Sequence, residues 1–92
     1  MKLGKKHQRT LDNIFDSPIR ANVKWDDIQK MIIALGAEIT EGRGSRVRMY
    51  LNGIRAVFHR PHPQKETDKG ALKSMRRYLK ETGVKNDDIQ RI

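Results

Sequence analysis

Residues 46–59 read RVRMYLNGIRAVFH, and the Asn52-Gly53 pair in the middle of this stretch decides the fold. Both residues tolerate the positive φ angles of a type I′ turn, and such a pair between alternating apolar residues is typical of a two-residue β-hairpin. A turn of this kind also fixes the register, so Leu51 should lie opposite Ile54 and Arg46 opposite His59. The sequence therefore predicts two antiparallel strands whose pairing is defined residue by residue.

The predicted register separates the side chains of the hairpin into two faces, because successive residues of a strand point to opposite sides of the sheet. One face is apolar and is expected to pack under helices; it consists of Val47, Met49, Leu51, Ile54, Ala56 and Phe58. The other face is mainly cationic and consists of Arg46, Arg48, Tyr50, Arg55, Val57 and His59. A sheet that helices cover on one side only leaves this second face open to a ligand.

Helical and strand patterns flank the hairpin. Apolar residues recur at helical spacing over residues 25–35 and 72–79, and Gly36 and Gly83 provide the C-terminal stops. The last helix should begin near Asp68 or Lys69, residues 37–41 form a further strand, and residues 8–15 form a short helix. We expect an α+β fold, in which a three-stranded antiparallel sheet carries helices on one face in the order α-β-β-β-α, after a short N-terminal helix.

The length of 92 residues favours one main domain, which we place at residues 24–84, after an N-terminal helical extension (1–23) and before a C-terminal tail (85–92). The net charge of +9 predicts a polyanionic partner: nucleic acid, an anionic membrane surface or an acidic protein. The chain has no cysteine and no apolar run of the roughly 18 residues that span a bilayer. We therefore expect a cytoplasmic protein that does not enter membranes.

The segment between Gly42 and Lys65 contains many cations and no acidic residue. The guanidinium group of arginine forms bidentate hydrogen bonds with phosphate, and Tyr50 offers a ring on which a base could stack. The predicted RNA-binding residues are Arg43, Ser45, Arg46, Arg48, Tyr50, Arg55, Arg60, His62 and Lys65. The alternative is a solvated strand face whose charge only discourages edge pairing.

Acid–base chemistry in the central domain is limited to His59 and His62. A histidine titrates near neutrality, and the predicted register places His59 beside Arg46, a pairing that phosphodiester cleavage could use. Alternatively, His59 only contacts a phosphate or caps a strand end, while His62 between two prolines fixes the path of the chain. Two histidines three residues apart make a poor metal site, so we expect no metal and no cofactor.

The last predicted helix carries four further cations, Lys73, Arg76, Arg77 and Lys80. A basic helix can contact backbone phosphates across a groove of double-stranded RNA. A charged face opposite an apolar stripe is equally the ordinary pattern of an amphipathic helix, and the sequence leaves both interpretations open.

Residues 24–84 resemble the HicA toxins of bacterial and archaeal toxin–antitoxin pairs. The resemblance is carried by Leu35-Gly36-Ala37-Glu38, by Gly42-Arg43-Gly44-Ser45, and above all by HPQKETDKGAL at residues 62–72. This last segment is similar to the family pattern HP-x-KE-x-x-KG-T-L, with Ala71 at the usual threonine. The resemblance implies a fold like that of double-stranded-RNA-binding domains, a ribonuclease that cuts mRNA, and a HicB antitoxin that binds over the active face.

The sequence departs from the family pattern at two histidine positions. Family members usually have a catalytic histidine directly after the Gly-Ser that precedes the second strand, where this chain has Arg46, and a second frequent histidine position is Val47. An arginine holds RNA, but a pKa above about 12 makes it a poor proton shuttle near neutral pH. Three interpretations remain: an RNA-binding protein with weak or absent nuclease activity, an endoribonuclease that uses His59 with Arg46, and a module that binds an acidic HicB-like protein.

Overall fold

The computed structural model describes residues 3–16, 22–61 and 65–84. Its elements are α1 (Lys5–Ile14), α2 (Trp25–Ala34), β1 (Glu38–Glu41), β2 (Arg46–Leu51), β3 (Ile54–His59) and α3 (Lys69–Glu81). The strands form one antiparallel sheet in the order β1-β2-β3. The predicted α+β class and element order are confirmed, with α1 beginning three residues earlier and β1 one residue later than the patterns indicated.

The β2–β3 hairpin has the register that the Asn52-Gly53 turn predicts. Every predicted pair is present, from Leu51 opposite Ile54 to Arg46 opposite His59. Asn52 and Gly53 both adopt positive φ angles, 50° and 81°. The side-chain amide of Asn52 also donates a hydrogen bond of 2.8 Å to the carbonyl of Thr82 at the C-terminal end of α3. The turn therefore both sets the strand register and satisfies a backbone acceptor of the helix that covers the sheet.

The core lies between the helices and the apolar face of the sheet. Burial alternates along β2, where Val47, Met49 and Leu51 are buried and the residues between them are exposed. Phe58 links the two layers, because its ring lies 6.0 Å from that of Trp25 on α2 and 6.1 Å from that of Tyr78 on α3. Such tilted and edge-on ring pairs are the geometries that aromatic side chains prefer.

Tyr78 ties α3 to the hairpin by a polar contact within this core. Its hydroxyl donates a hydrogen bond of 2.8 Å to the carbonyl of Ile54. Burial raises the pKa of the Tyr78 hydroxyl above its ordinary value. The neutral hydroxyl is the form that donates this bond, so the environment favours the state that the packing needs.

A short stretch of backbone pairing sets the starts of α2 and α3. Lys24 and Glu66 form an isolated antiparallel bridge, and the amide of Thr67 donates to the carbonyl of Val23 at 2.7 Å. Asp68 then caps α3, since its carboxylate accepts a hydrogen bond of 2.7 Å from the amide of Ala71. Glu66, Thr67 and Asp68, which belong to the segment that resembles HicA, therefore fix the positions at which α2 and α3 begin.

Helix α1 contributes to the same core. Leu11 and Ile14 are fully buried and belong to one apolar cluster with residues of α2, α3 and the sheet. The division of the chain at residues 23 and 84 stays a prediction, and residues 85–92 lie outside the described part of the chain.

The Asn52 contact leads to a stability prediction. Replacing Asn52 with alanine should lower the free energy of unfolding by about 1–3 kcal/mol, because the hydrogen bond to Thr82 is lost and alanine disfavours a positive φ. Urea unfolding followed by circular dichroism measures the change. Asn52→Gly is the matched control. Glycine adopts a positive φ without strain, so this variant should lose only the hydrogen bond, about 1 kcal/mol of the free energy of unfolding. Wild-type stability in the alanine variant would contradict the anchoring role.

Candidate nucleic-acid interface

The side of the sheet away from the helices, which we call the open face, displays its side chains in rows across the strands. The strand pairing defines a tyrosine row (Glu38, Tyr50, Arg55), a central row (Thr40, Arg48, Val57) and a histidine row (Arg46, His59). All of these residues are exposed. Within the described part of the chain, the helices therefore leave one side of the hairpin uncovered, and its arginines share that side.

The electrostatic character of the open face is set by three arginines. Among the residues that the structure describes, Arg46, Arg48 and Arg55 form no ion pair, and Glu38 is the one carboxylate in the three rows. Guanidinium groups without a carboxylate partner remain available to an incoming anion. The open face is thus a cationic surface with one acidic side chain at its β1 edge.

The open face also offers apolar and aromatic area. Tyr50 and Val57 are 42% and 54% exposed, in neighbouring rows. The guanidinium carbon of Arg55 lies 5.6 Å from the centre of the Tyr50 ring, within the range of a cation–π contact. A ring and a guanidinium plane in one row are both groups on which nucleic-acid bases stack.

The histidine row is the part of the face that could move a proton. Nδ1 of His59 lies 3.5 Å from Oγ of Ser45, at the outer limit of a hydrogen bond, and Arg46 is the direct strand partner of His59. Backbone hydrogen bonds hold this corner together: Gly42 donates to the carbonyl of Arg46 at 2.8 Å, and Arg60 donates to that of Ser45 at 2.7 Å. An imidazole, a hydroxyl and a cation therefore meet at one end of the open face.

The predicted binding residues fall into two groups. The open face brings together Arg46, Arg48, Tyr50 and Arg55, and Arg43 and Ser45 lie in the loop at its end. The remaining residues lie elsewhere: Arg60 forms an ion pair with Glu41, and the carbonyl of Lys65 accepts a hydrogen bond of 3.0 Å from the amide of Trp25 at the start of α2. His62 is outside the described residues.

Sequence reasoning missed the contribution of β1. Glu38 and Thr40 pair with Tyr50 and Arg48 and so lie on the open face, while Glu41 pairs with the Arg60 guanidinium. The alternation of these residues with Ile39 was a signal for their side of the sheet. Their register could not be obtained in the same way, because the link at residues 42–45 is not a two-residue turn.

The structure gives one cation of α3 a packing role. Nε of Arg76 donates to the carbonyl of Ile14 at 2.9 Å, and Nη2 donates to that of Asp16 at 2.5 Å. The same guanidinium lies 6.0 Å from the centre of the Phe15 ring. Arg76 therefore connects α3 to the C-terminal end of α1, whereas Lys73, Arg77 and Lys80 are exposed.

The fold and the open face define a small α+β domain with a cationic sheet surface. A model of the family described as HicA toxin of bacterial toxin–antitoxin matches residues 25–84, well over half of the chain. The chain belongs to the HicA toxin family. Comparisons with curated protein sequences and with solved structures give no match. The resemblance stated from the sequence is confirmed, and α1 precedes the matched residues.

Within residues 3–16, 22–61 and 65–84, no helix has both the length and the apolar character needed to cross a bilayer.

Arg76 and its neighbour Arg77 form a matched pair for a stability test. Arg76→Ala should lower the free energy of unfolding by about 1–3 kcal/mol, because two backbone acceptors at the end of α1 lose a charged donor. Arg77→Ala removes an exposed guanidinium of the same helix and should stay within about 0.5 kcal/mol of the wild type. Chemical denaturation measures the free energy of unfolding of both variants. Equal losses in the two would contradict the role of Arg76 in connecting α3 to α1.

Proposed function

We propose that this HicA-family chain is an RNA-binding protein that holds mRNA on its open face. The observation that carries this function is the set of exposed arginines Arg46, Arg48 and Arg55, which have no carboxylate partner among the described residues and share the open face with the exposed ring of Tyr50. Phosphate contacts supply most of the affinity of such a surface, and they make binding sensitive to salt.

Single-stranded RNA suits this surface better than an intact duplex. A ring on an open sheet can stack on an unpaired base, and each such contact is worth roughly 1–3 kcal/mol. The open face carries the ring of Tyr50 and the guanidinium groups of Arg46, Arg48 and Arg55 on one surface, so bases and phosphates of one strand could be bound together. This is the combination that sequence-tolerant single-strand binders use.

Binding, rather than cutting, is the activity that we assign first. The position directly after Gly44-Ser45 carries Arg46, where the resemblance to HicA leads one to expect a histidine. A guanidinium group stays protonated near neutral pH, so it stabilises phosphate charge but cannot act as a general base.

A second candidate function is endoribonuclease activity through His59. It is favoured by the corner where His59 lies opposite Arg46 and 3.5 Å from Ser45 Oγ. His59 would take the proton of a ribose 2′-hydroxyl as the 2′-oxygen forms a bond to phosphorus and the bond from phosphorus to the 5′-oxygen breaks. The products are a 2′,3′-cyclic phosphate and a 5′-hydroxyl that takes its proton from water, while Arg46 stabilises the charge on phosphate during the attack.

The partner that we propose is a HicB-type antitoxin. Membership of a toxin–antitoxin family implies an antitoxin in general terms. An acidic partner that covers the open face would bury Tyr50 and Val57, the exposed apolar groups that protein interfaces use as anchors, and would neutralise the arginines around them.

Loss of the arginines should weaken RNA binding and reduce its salt dependence. In Arg46→Gln/Arg48→Gln/Arg55→Gln, the slope of log affinity against log salt should fall by about 2, since each lost phosphate contact to a single strand removes about 0.7. Fluorescence anisotropy with a labelled single-stranded RNA at several salt concentrations measures this. The control Lys5→Gln/Arg9→Gln/Lys30→Gln removes equal charge from exposed helical positions and should retain more of the slope. Equal losses in the two variants would refute a specific role of the open face.

A labelled transcript distinguishes binding from cleavage. We expect the purified wild-type protein to retard the transcript in a gel and leave its length unchanged, because no histidine occupies the Arg46 position. Cutting that persists through purification and disappears in His59→Ala would replace the binding function with the nuclease. Cutting that survives in that variant would point to a contaminating enzyme, and a Ser45→Ala variant provides the matched check on the same corner.

A further inference from the structure

The tyrosine row and the central row together surround a depression of about 450 Å³ on the open face. Its lining includes Glu38, Thr40, Arg48, Tyr50, Arg55 and Val57. The volume falls in the range of roughly 300–1,000 Å³ that small-ligand sites occupy. An aromatic ring, an aliphatic side chain, two guanidinium groups and one carboxylate therefore converge on a space that could hold one nucleobase.

Glu38 is the unexpected member of this set. A carboxylate on a surface that binds RNA phosphates repels the ligand, and among the described residues Glu38 has neither an ion pair nor a side-chain hydrogen bond. Its exposed position in the same row as Tyr50 leaves both carboxylate oxygens available as acceptors. A ligand that compensates for the repulsion must bring N–H donors to this point.

Guanine has the donor arrangement that a carboxylate fits best. On its Watson–Crick edge, N1–H and the N2 amino group lie side by side, so two parallel hydrogen bonds can reach the two carboxylate oxygens. Adenine, cytosine and uracil each have fewer donors on that edge, next to an acceptor whose lone pair would face the second oxygen. We propose that the depression is a nucleobase subsite in which Glu38 selects guanine over the other bases.

The strand pairing supports this arrangement. Glu38 and Tyr50 are direct partners across β1 and β2, a relation that places Cβ atoms about 4.5–5.5 Å apart. A base stacked on Tyr50 is therefore within reach of the Glu38 carboxylate, and Arg48 and Arg55 lie beside it for the adjoining phosphates. The subsite rests on the proposed RNA-binding function and adds a base preference to it.

A purely electrostatic role of Glu38 makes a different prediction. If the carboxylate only offsets the charge of the neighbouring arginines, then Glu38→Gln should strengthen binding to every RNA by the same factor. A guanine-selecting carboxylate gives opposite effects instead: the substitution should strengthen binding to RNA that lacks guanine and should abolish the advantage of RNA that contains it.

Two labelled octamers test the inference: uridine octamers with a single central guanosine or a single central adenosine, titrated by anisotropy. We expect the wild type to bind the guanosine octamer about tenfold more tightly, and Glu38→Gln to bring this ratio close to one. Glu81→Gln removes an equal charge from the exposed face of α3 and should keep the wild-type ratio. Circular dichroism of each variant confirms that it is folded.

The outcomes separate this inference from the proposed function. Wild-type binding of both octamers with equal affinity, or a ratio unchanged by Glu38→Gln, would overturn the guanine subsite and leave RNA binding by the open face intact. Failure of the wild type to bind either octamer at low salt would overturn both. If the ratio of affinities for the guanosine and adenosine octamers falls equally in Glu81→Gln, the effect is one of general charge, and this result would also overturn the subsite.

Discussion

The two-residue turn at Asn52-Gly53 is the constraint on which the rest of the structure depends. It sets the register of β2 against β3, and that register sends Val47, Met49 and Leu51 into the core and the intervening arginines to the open face. A slip of one residue would exchange the two sets, burying guanidinium groups without partners. Asn52 further attaches the turn to the end of α3, so the register and the helix packing support each other.

Packing and function occupy different parts of the molecule. The segment after residue 64 carries much of the HicA resemblance. It supplies the backbone bridge of Glu66, a hydrogen bond from the backbone amide of Thr67 and the helix cap of Asp68. The open face lies on the other side of the sheet, where the side chains of the three rows are exposed. Substitutions there can change chemistry with little effect on the core.

The proposed activities follow from a division of the open face. The histidine row, Arg46 and His59, lies at one end of the open face beside Ser45. This end suits a phosphate and, in the second candidate function, proton transfer. The tyrosine and central rows combine stacking groups with arginines and with the carboxylate of Glu38. The chain itself belongs to the HicA toxin family of toxin–antitoxin systems. RNA binding, a covering antitoxin and guanine selection would then use one face and compete for it.

The sequence by itself determined the element order, the hairpin register and the grouping of Arg46, Arg48, Tyr50, Arg55 and His59, because turn geometry and strand alternation are local properties. Only the tertiary structure decided that Glu38 and Thr40 lie opposite Tyr50 and Arg48. It also decided that Arg60 pairs with Glu41 and that Arg76 donates hydrogen bonds to the end of α1. These contacts join segments that are distant in sequence or separated by the link at residues 42–45. No periodicity within one segment encodes them; they form only when the helices and all three strands are packed together.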